Sequence, residues 1–71
     1  MKKLPSNITI DHYEITKNDK VFAELPWFVD AVAVFTTVCE HLEPREFSYF
    51  YAYDTNGKRY ELDHCYYIEE F

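Results

Sequence analysis

Alternation of apolar and polar positions marks two stretches near the start of the chain, "NITIDHYEIT" and "KVFAEL", both rich in β-branched and aromatic residues and separated by the turn-forming "KNDK". They are predicted as the strands of a hairpin. An odd number of loop residues sets Ile15 opposite Ala23 and Tyr13 opposite Leu25, gathering Tyr13, Ile15, Val21, Ala23 and Leu25 on one face. An even loop would bury Glu24 beside Tyr13, so the odd loop is preferred. Ile8 and Ile10 have the opposite parity. Either a bulge lies near Asp11 and His12, or the first residues leave the sheet.

The period then changes. In "PWFVDAVAVFTTVCEHLEP", the residues Phe28, Ala31, Val32, Phe35, Val38, Cys39 and Leu42 follow the spacing of one helix face. Pro26 suits the first helical position and Pro44 ends the run. The opposite side carries Val29, Asp30, Ala33, Thr36, Thr37, Glu40 and His41, with Trp27 and Val34 at its margin. Two charges are few for a solvated face. β-Branched residues make a strand the competing reading, but the run is long for one and lacks a turn signal.

The last stretch, "FSYFYAYDTNGKRYELDHCYYIEEF", contains Asn56-Gly57, which predicts a type I′ hairpin turn. That turn pairs Tyr53 with Tyr60, Tyr51 with Leu62, Tyr49 with His64 and Phe47 with Tyr66, an aromatic side expected to form the core under the helix. The other side, expected to face outward, pairs Asp54 with Arg59, Ala52 with Glu61, Phe50 with Asp63 and Ser48 with Cys65. The order of elements, ββαββ, predicts one α+β domain over residues 1–71, with a helix across an antiparallel sheet of about four strands. This layout resembles that of ubiquitin-like and immunoglobulin-binding domains, a likeness of fold that does not carry function.

Composition bears on what such a domain can do. The chain has 71 residues, of which 48% are hydrophobic and 20% aromatic, enough for a folded core at a size where burial barely exceeds the entropy lost. Thirteen acidic residues against seven basic ones give a net charge of -6. Such a surface repels nucleic acid and anionic lipid and attracts basic proteins. "MKKLPSNITI" lacks the apolar run of a signal peptide, and nothing approaches the ~20 apolar residues of a membrane span, so a cytoplasmic protein is expected.

Catalysis and metal binding find little support in the residue pattern. His12, His41 and His64 could pair with Cys39 or Cys65, or Glu61 with Asp63, but no enzyme motif accompanies them. Gly57 is the one glycine and is committed to a turn, so no phosphate-cradling loop exists. Cys39 and His41 diverge on a helix, and neighbours among Asp63, His64 and Cys65 point to opposite faces of a strand. No cofactor is expected. With Cys39 facing the sheet and Cys65 facing away from the helix, no disulfide is expected either.

The expected outer sheet face holds the main functional candidate. Glu14 and Glu24 share it with Asp54, Glu61 and Asp63, and the tail adds Glu69 and Glu70. Residues two apart on a strand are about 6.6 Å apart, close to every second phosphate of a DNA strand at about 3.4 Å each. Phe22 and Phe50 are expected to point outward among the carboxylates as apolar anchors. The chain is similar in size and charge to small acidic antirestriction and anti-CRISPR proteins of phages and other mobile elements. That likeness of class implies a non-enzymatic inhibitor of a basic, nucleic-acid-processing partner. The alternative is a structural or regulatory homodimer held by Trp27, Val29, Ala33 and Val34 on the helix.

Overall fold

The computed structural model describes residues 2–67. Two strands, β1 (Ile10–Lys17) and β2 (Lys20–Leu25), precede a helix, α1 (Phe28–Glu40), and two more strands follow, β3 (Phe47–Asp54) and β4 (Arg59–Tyr66). The strands form one sheet in the order β2-β1-β3-β4, with every ladder antiparallel. The domain is therefore α+β, one helix on a four-stranded antiparallel sheet in ββαββ order. The helical connection carries the chain from the edge strand β2 over β1 and into β3.

The first hairpin keeps the expected pairs Tyr13 with Leu25 and Ile15 with Ala23, but by another route. Asn18 and Asp19 form a two-residue turn, both with positive φ, 53° and 65°, as a type I′ turn requires. A bulge at Phe22 then supplies the extra residue that restores the odd register. Val21 pairs with Thr16 as a result and is exposed, a correction to its expected place in the core. The turn is fastened to β3: the Asn18 side chain accepts from Phe47 N at 3.1 Å and donates to Glu46 at 3.1 Å. The second bulge, at Asp11, falls where parity required one and returns Ile10 to the core side.

Asn56-Gly57 does not form a type I′ turn. Gly57 N donates to Asp54 O at 3.0 Å, Gly57 alone in this loop has positive φ, 83°, and the loop is a type I turn closed by a glycine bulge. The Asp54 carboxylate favours this form by accepting from the backbone N–H groups of Asn56 and Lys58, both at 2.9 Å. The pairing near the turn is shifted by one residue, Tyr51 with Glu61 and Tyr53 with Arg59. A further bulge at Leu62 then brings back the expected pairs from Phe50–Asp63 to Phe47–Tyr66.

The facing of this hairpin is the reverse of the expectation. β3 pairs with β1 so that Ile15 lies opposite Phe50 and Tyr13 opposite Ala52, which turns Ser48, Phe50 and Ala52 toward the helix. Phe50 is 0% exposed, with Phe35 at 5.3 Å, Tyr13 at 5.9 Å and Phe28 at 6.2 Å between ring centroids. A thirteen-residue helix covers only a narrow stripe of sheet. One phenylalanine flanked by serine and alanine fits beneath it, whereas a row of tyrosines would leave phenolic hydroxyls without water.

Helix α1 presents the predicted stripe, with Ala31, Phe35 and Val38 buried and Leu42 just beyond its end. Trp27 is the N-cap, so Pro26 precedes the cap instead of opening the helix, and Asp30 lies in the first turn, where the helix dipole favours an anion. His41 closes the other end, its Nδ1 donating to the Thr37 carbonyl at 2.8 Å. Cys39, near that end, is joined to Cys65 by a disulfide with Cα atoms 6.1 Å apart. The bond corrects the expectation of unpaired cysteines, and the reversed hairpin explains it. Cys65 pairs with Ser48 and so faces the helix.

Candidate functional site

Among the described residues the sheet is covered on one side only, by α1. Strand alternation sends Phe47, Tyr49, Tyr51 and Tyr53 from β3 to its open side, where neighbouring strands add His12, Glu14 and Glu24 on one flank and Arg59, Glu61, His64 and Tyr66 on the other. The rings form a ridge along β3 in two groups, His12 with Tyr53 and Tyr51 with Tyr49, His64, Tyr66 and Phe47. His12 stacks on Tyr53 at 4.8 Å and 8°, Tyr49 on Tyr51 at 5.8 Å and 27°, and His64 on Tyr49 at 5.5 Å and 28°. The Arg59 guanidinium lies 4.2 Å from the centre of the Tyr51 ring, a cation–π contact.

A line of carboxylates crosses this ridge. Glu24 pairs with Glu14, Glu14 with Tyr51 and Tyr51 with Glu61, so one transverse row spans all four strands as Glu24–Glu14–Tyr51–Glu61. Adjacent members are about 5 Å apart, the strand spacing. Glu61 is paired: Lys2 Nζ lies 2.9 Å away and His64 3.7 Å. The Lys2 hydrogen bond holds the Glu61 carboxyl below its usual range. Glu14 and Glu24 have no Lys, Arg or His within ion-pair distance among the described residues. Glu14 is only 7% exposed and accepts a long hydrogen bond, 3.4 Å, from the Tyr53 hydroxyl.

The phenols are polarised by their surroundings. The hydroxyls of Tyr49 and Tyr66 share a hydrogen bond, which pushes Tyr49 up to about 12. Burial raises Tyr51, although Arg59 opposes it. Both shifts keep Tyr49 and Tyr51 neutral near pH 7.

Three of the expected partner-binding residues, Glu14, Glu24 and Glu61, therefore share one row. The others do not. Phe50 is in the core, a correction to its role as an outward anchor. Asp54 is buried at the second hairpin turn, where those backbone bonds hold its carboxyl low, and it also accepts from the Tyr60 hydroxyl at 3.1 Å. Asp63 follows Phe50 to the helix side and accepts from His64 N at 2.8 Å. Phe22 is 56% exposed but, through its bulge, borders an apolar groove against Val34, Val38 and His41 instead of the carboxylates. Glu69 and Glu70 lie outside the described residues.

Of the expected dimer contacts, Trp27 and Val29 are 68% and 76% exposed and Ala33 is exposed as well. Val34 is half-buried against the core and offers less to a partner. Cys39 and Cys65 are consumed by their disulfide, and His41 by the helix end. The residues that sequence reasoning missed are Tyr49, Tyr51, Tyr53, His12, Arg59 and His64. Their signal was available in the hydroxyls, since seven tyrosines in so small a chain need more water contact than a core provides.

Comparison with protein-family models, curated proteins and solved structures found no match to this chain.

Proposed function

We propose that this is a non-enzymatic binding protein that docks on a basic, nucleic-acid-processing partner through the open face of its sheet and inhibits or modulates it. One observation carries the reading. Glu14 and Glu24 stand opposite each other with no cation in ion-pair distance among the described residues, in a row set across an aromatic ridge. Like charges placed opposite on adjacent strands destabilise a sheet. A partner that brings cations to this row relieves that repulsion, and the net charge of -6 draws such a partner in.

The mode of action is competition. Carboxylates about 5 Å apart across the strands engage Lys and Arg side chains that otherwise hold phosphates, while the rings supply the desolvated contact area. Antirestriction and anti-CRISPR proteins, similar in size and charge, give the class of activity proposed. No helix among the described residues is long and apolar enough to cross a membrane. In the cytoplasm Cys39 and Cys65 would be held as thiols, so cytoplasmic action requires that the reduced protein still fold and bind.

The test is capture from lysate on immobilised protein, washed first at low and then at high salt, with Glu24→Lys/Glu61→Lys as the paired control. Salt-released nucleic-acid enzymes retained by the wild type and lost by the variant support the reading. Equal retention by both proteins defeats it.

A second reading rests on the exposed Val29 and Ala33, one turn apart on α1, and on the exposed Trp27 at its N-cap, apolar side chains that a twofold partner could cover. Sedimentation equilibrium decides it, through a concentration-dependent mass that Trp27→Asp abolishes without unfolding.

A further inference from the structure

We propose that the open sheet face takes arginine in particular, so that its occupant is an arginine-bearing segment of the partner whose guanidinium groups stack on the tyrosine ridge and pair with the carboxylate row; this rests on the reading of that face as the site for a basic partner. The protein already shows the stacking half of this chemistry within itself. Arg59 lies over Tyr51, the one member of the Glu24–Glu14–Tyr51–Glu61 row that is not acidic. Its guanidinium is stacked on the ring at 4.2 Å, and Glu61 lies on the same face.

A planar guanidinium stacks flat on a ring and still reaches a carboxylate with two N–H groups of its edge, a geometry that a compact ammonium matches only in part. Tyrosine rings set beside glutamates at the strand spacing repeat that pair of contacts across the face. Single-stranded nucleic acid also stacks on aromatic sheets. Here Glu14 and Glu24 repel phosphate, and the nearby cations Lys2 and Arg59 are already engaged with Glu61 and Tyr51. The face is therefore matched to a cation.

Arg59 then acts as an internal occupant that an incoming arginine displaces. This sets the sign of a variant. Arg59→Ala frees the Tyr51 ring and tightens binding of an arginine peptide, whereas a phosphate-binding surface would lose affinity with the same change.

Fluorescence anisotropy with the full chain tests this, using short labelled peptides that alternate arginine or lysine with glycine and serine, and a labelled oligo-uridine. The arginine peptide is expected to bind about tenfold more tightly than its lysine counterpart, to tighten with Arg59→Ala and to weaken with Glu24→Gln. Equal binding of the two peptides, lost in Glu24→Lys/Glu61→Lys, would overturn the preference for arginine and leave the basic-partner reading standing. Binding of neither peptide would overturn both. Binding of oligo-uridine that Arg59→Ala weakens would also overturn both, in favour of nucleic acid. Arg59 is exposed, so its removal leaves the fold intact, which circular dichroism verifies.

Discussion

Glu14 lies directly opposite Glu24 across the β1–β2 ladder, and neither carboxylate has a cationic neighbour among the described residues. A sheet selected for stability alone would set a lysine against one of them. Glu24→Gln removes the opposition and is expected to stabilise the free protein by about 0.5 kcal/mol while weakening its hold on a basic partner. Urea unfolding measures the first effect and anisotropy the second. A loss of stability would show that the pair is supported by something other than a partner.

The disulfide links the end of α1 to the edge strand β4, with Cys39 and Cys65 separated by 26 residues. Closing a loop of that length restricts the unfolded chain by about 3.5 kcal/mol on the chain-entropy account. Cys39→Ser/Cys65→Ser is expected to lower the urea midpoint accordingly, and dithiothreitol to do the same to the wild type. An unchanged midpoint in both would mean that the helix holds β4 without it.

Phe50 and Tyr53 lie on opposite sides of β3, and their substitutions should differ sharply. Phe50→Ala empties the centre of the core at a cost of about 3–5 kcal/mol, comparable to the whole stability of a domain this small. Tyr53→Phe loses only a long hydrogen bond to Glu14 and should cost less than about 1 kcal/mol. Thermal unfolding of the two variants distinguishes this facing from its reverse.

Alkaline titration reads the open face directly. Tyr49 is pushed up to about 12 by the Tyr66 hydroxyl, above the ordinary phenol value near 10. The folded state therefore favours the neutral phenol. Its contribution is fully present below pH 10 and is lost as pH rises toward about 12. Ultraviolet absorbance of the phenolates should show Tyr49 among the tyrosines that titrate late, with Tyr51 and Tyr60, and Tyr66→Phe should return Tyr49 toward 10 while leaving the other two late.

Acid weakens the second turn by the mirrored logic. Asp54 is held low by the backbone N–H groups of Lys58 and Asn56, so its contribution is present above the ordinary carboxylate range and is lost as pH falls through the lowered value. Asp54→Ala should destabilise at neutral pH, lowering the urea midpoint, and should flatten the acid limb of the stability curve. An acid limb unchanged from wild type would remove Asp54 from that role.

The order of elements, the helix stripe and most of the first hairpin were legible in the pattern of residues, because burial periodicity and parity act within a segment. The facing of the second hairpin was not. β3 alternates large tyrosines with smaller residues, and either side can read as core until its pairing with β1 is known. Ile15 opposite Phe50 decides the matter, and that contact is long-range. The errors at Phe50, Asp54, Asp63 and Cys65 all follow from that one inversion, whereas Glu14 and Glu24 escaped it because β1 and β2 were faced correctly. Asn56-Gly57 misled in a smaller way, since the Asp54 side chain stabilises a type I turn with a glycine bulge at the same residues.

Docking through the open sheet face is what the proposed activity of this protein requires. The most direct measurement is a two-dimensional NMR titration of the isotope-labelled protein with a peptide of mixed lysine and arginine. Amide signals of Glu14, Glu24, Tyr51 and Glu61, with the side-chain Nε of Arg59, are expected to shift together and saturably while those of the helix stay still. Shifts confined to Trp27, Val29 and Ala33, with the carboxylate row unmoved, would contradict docking through that face.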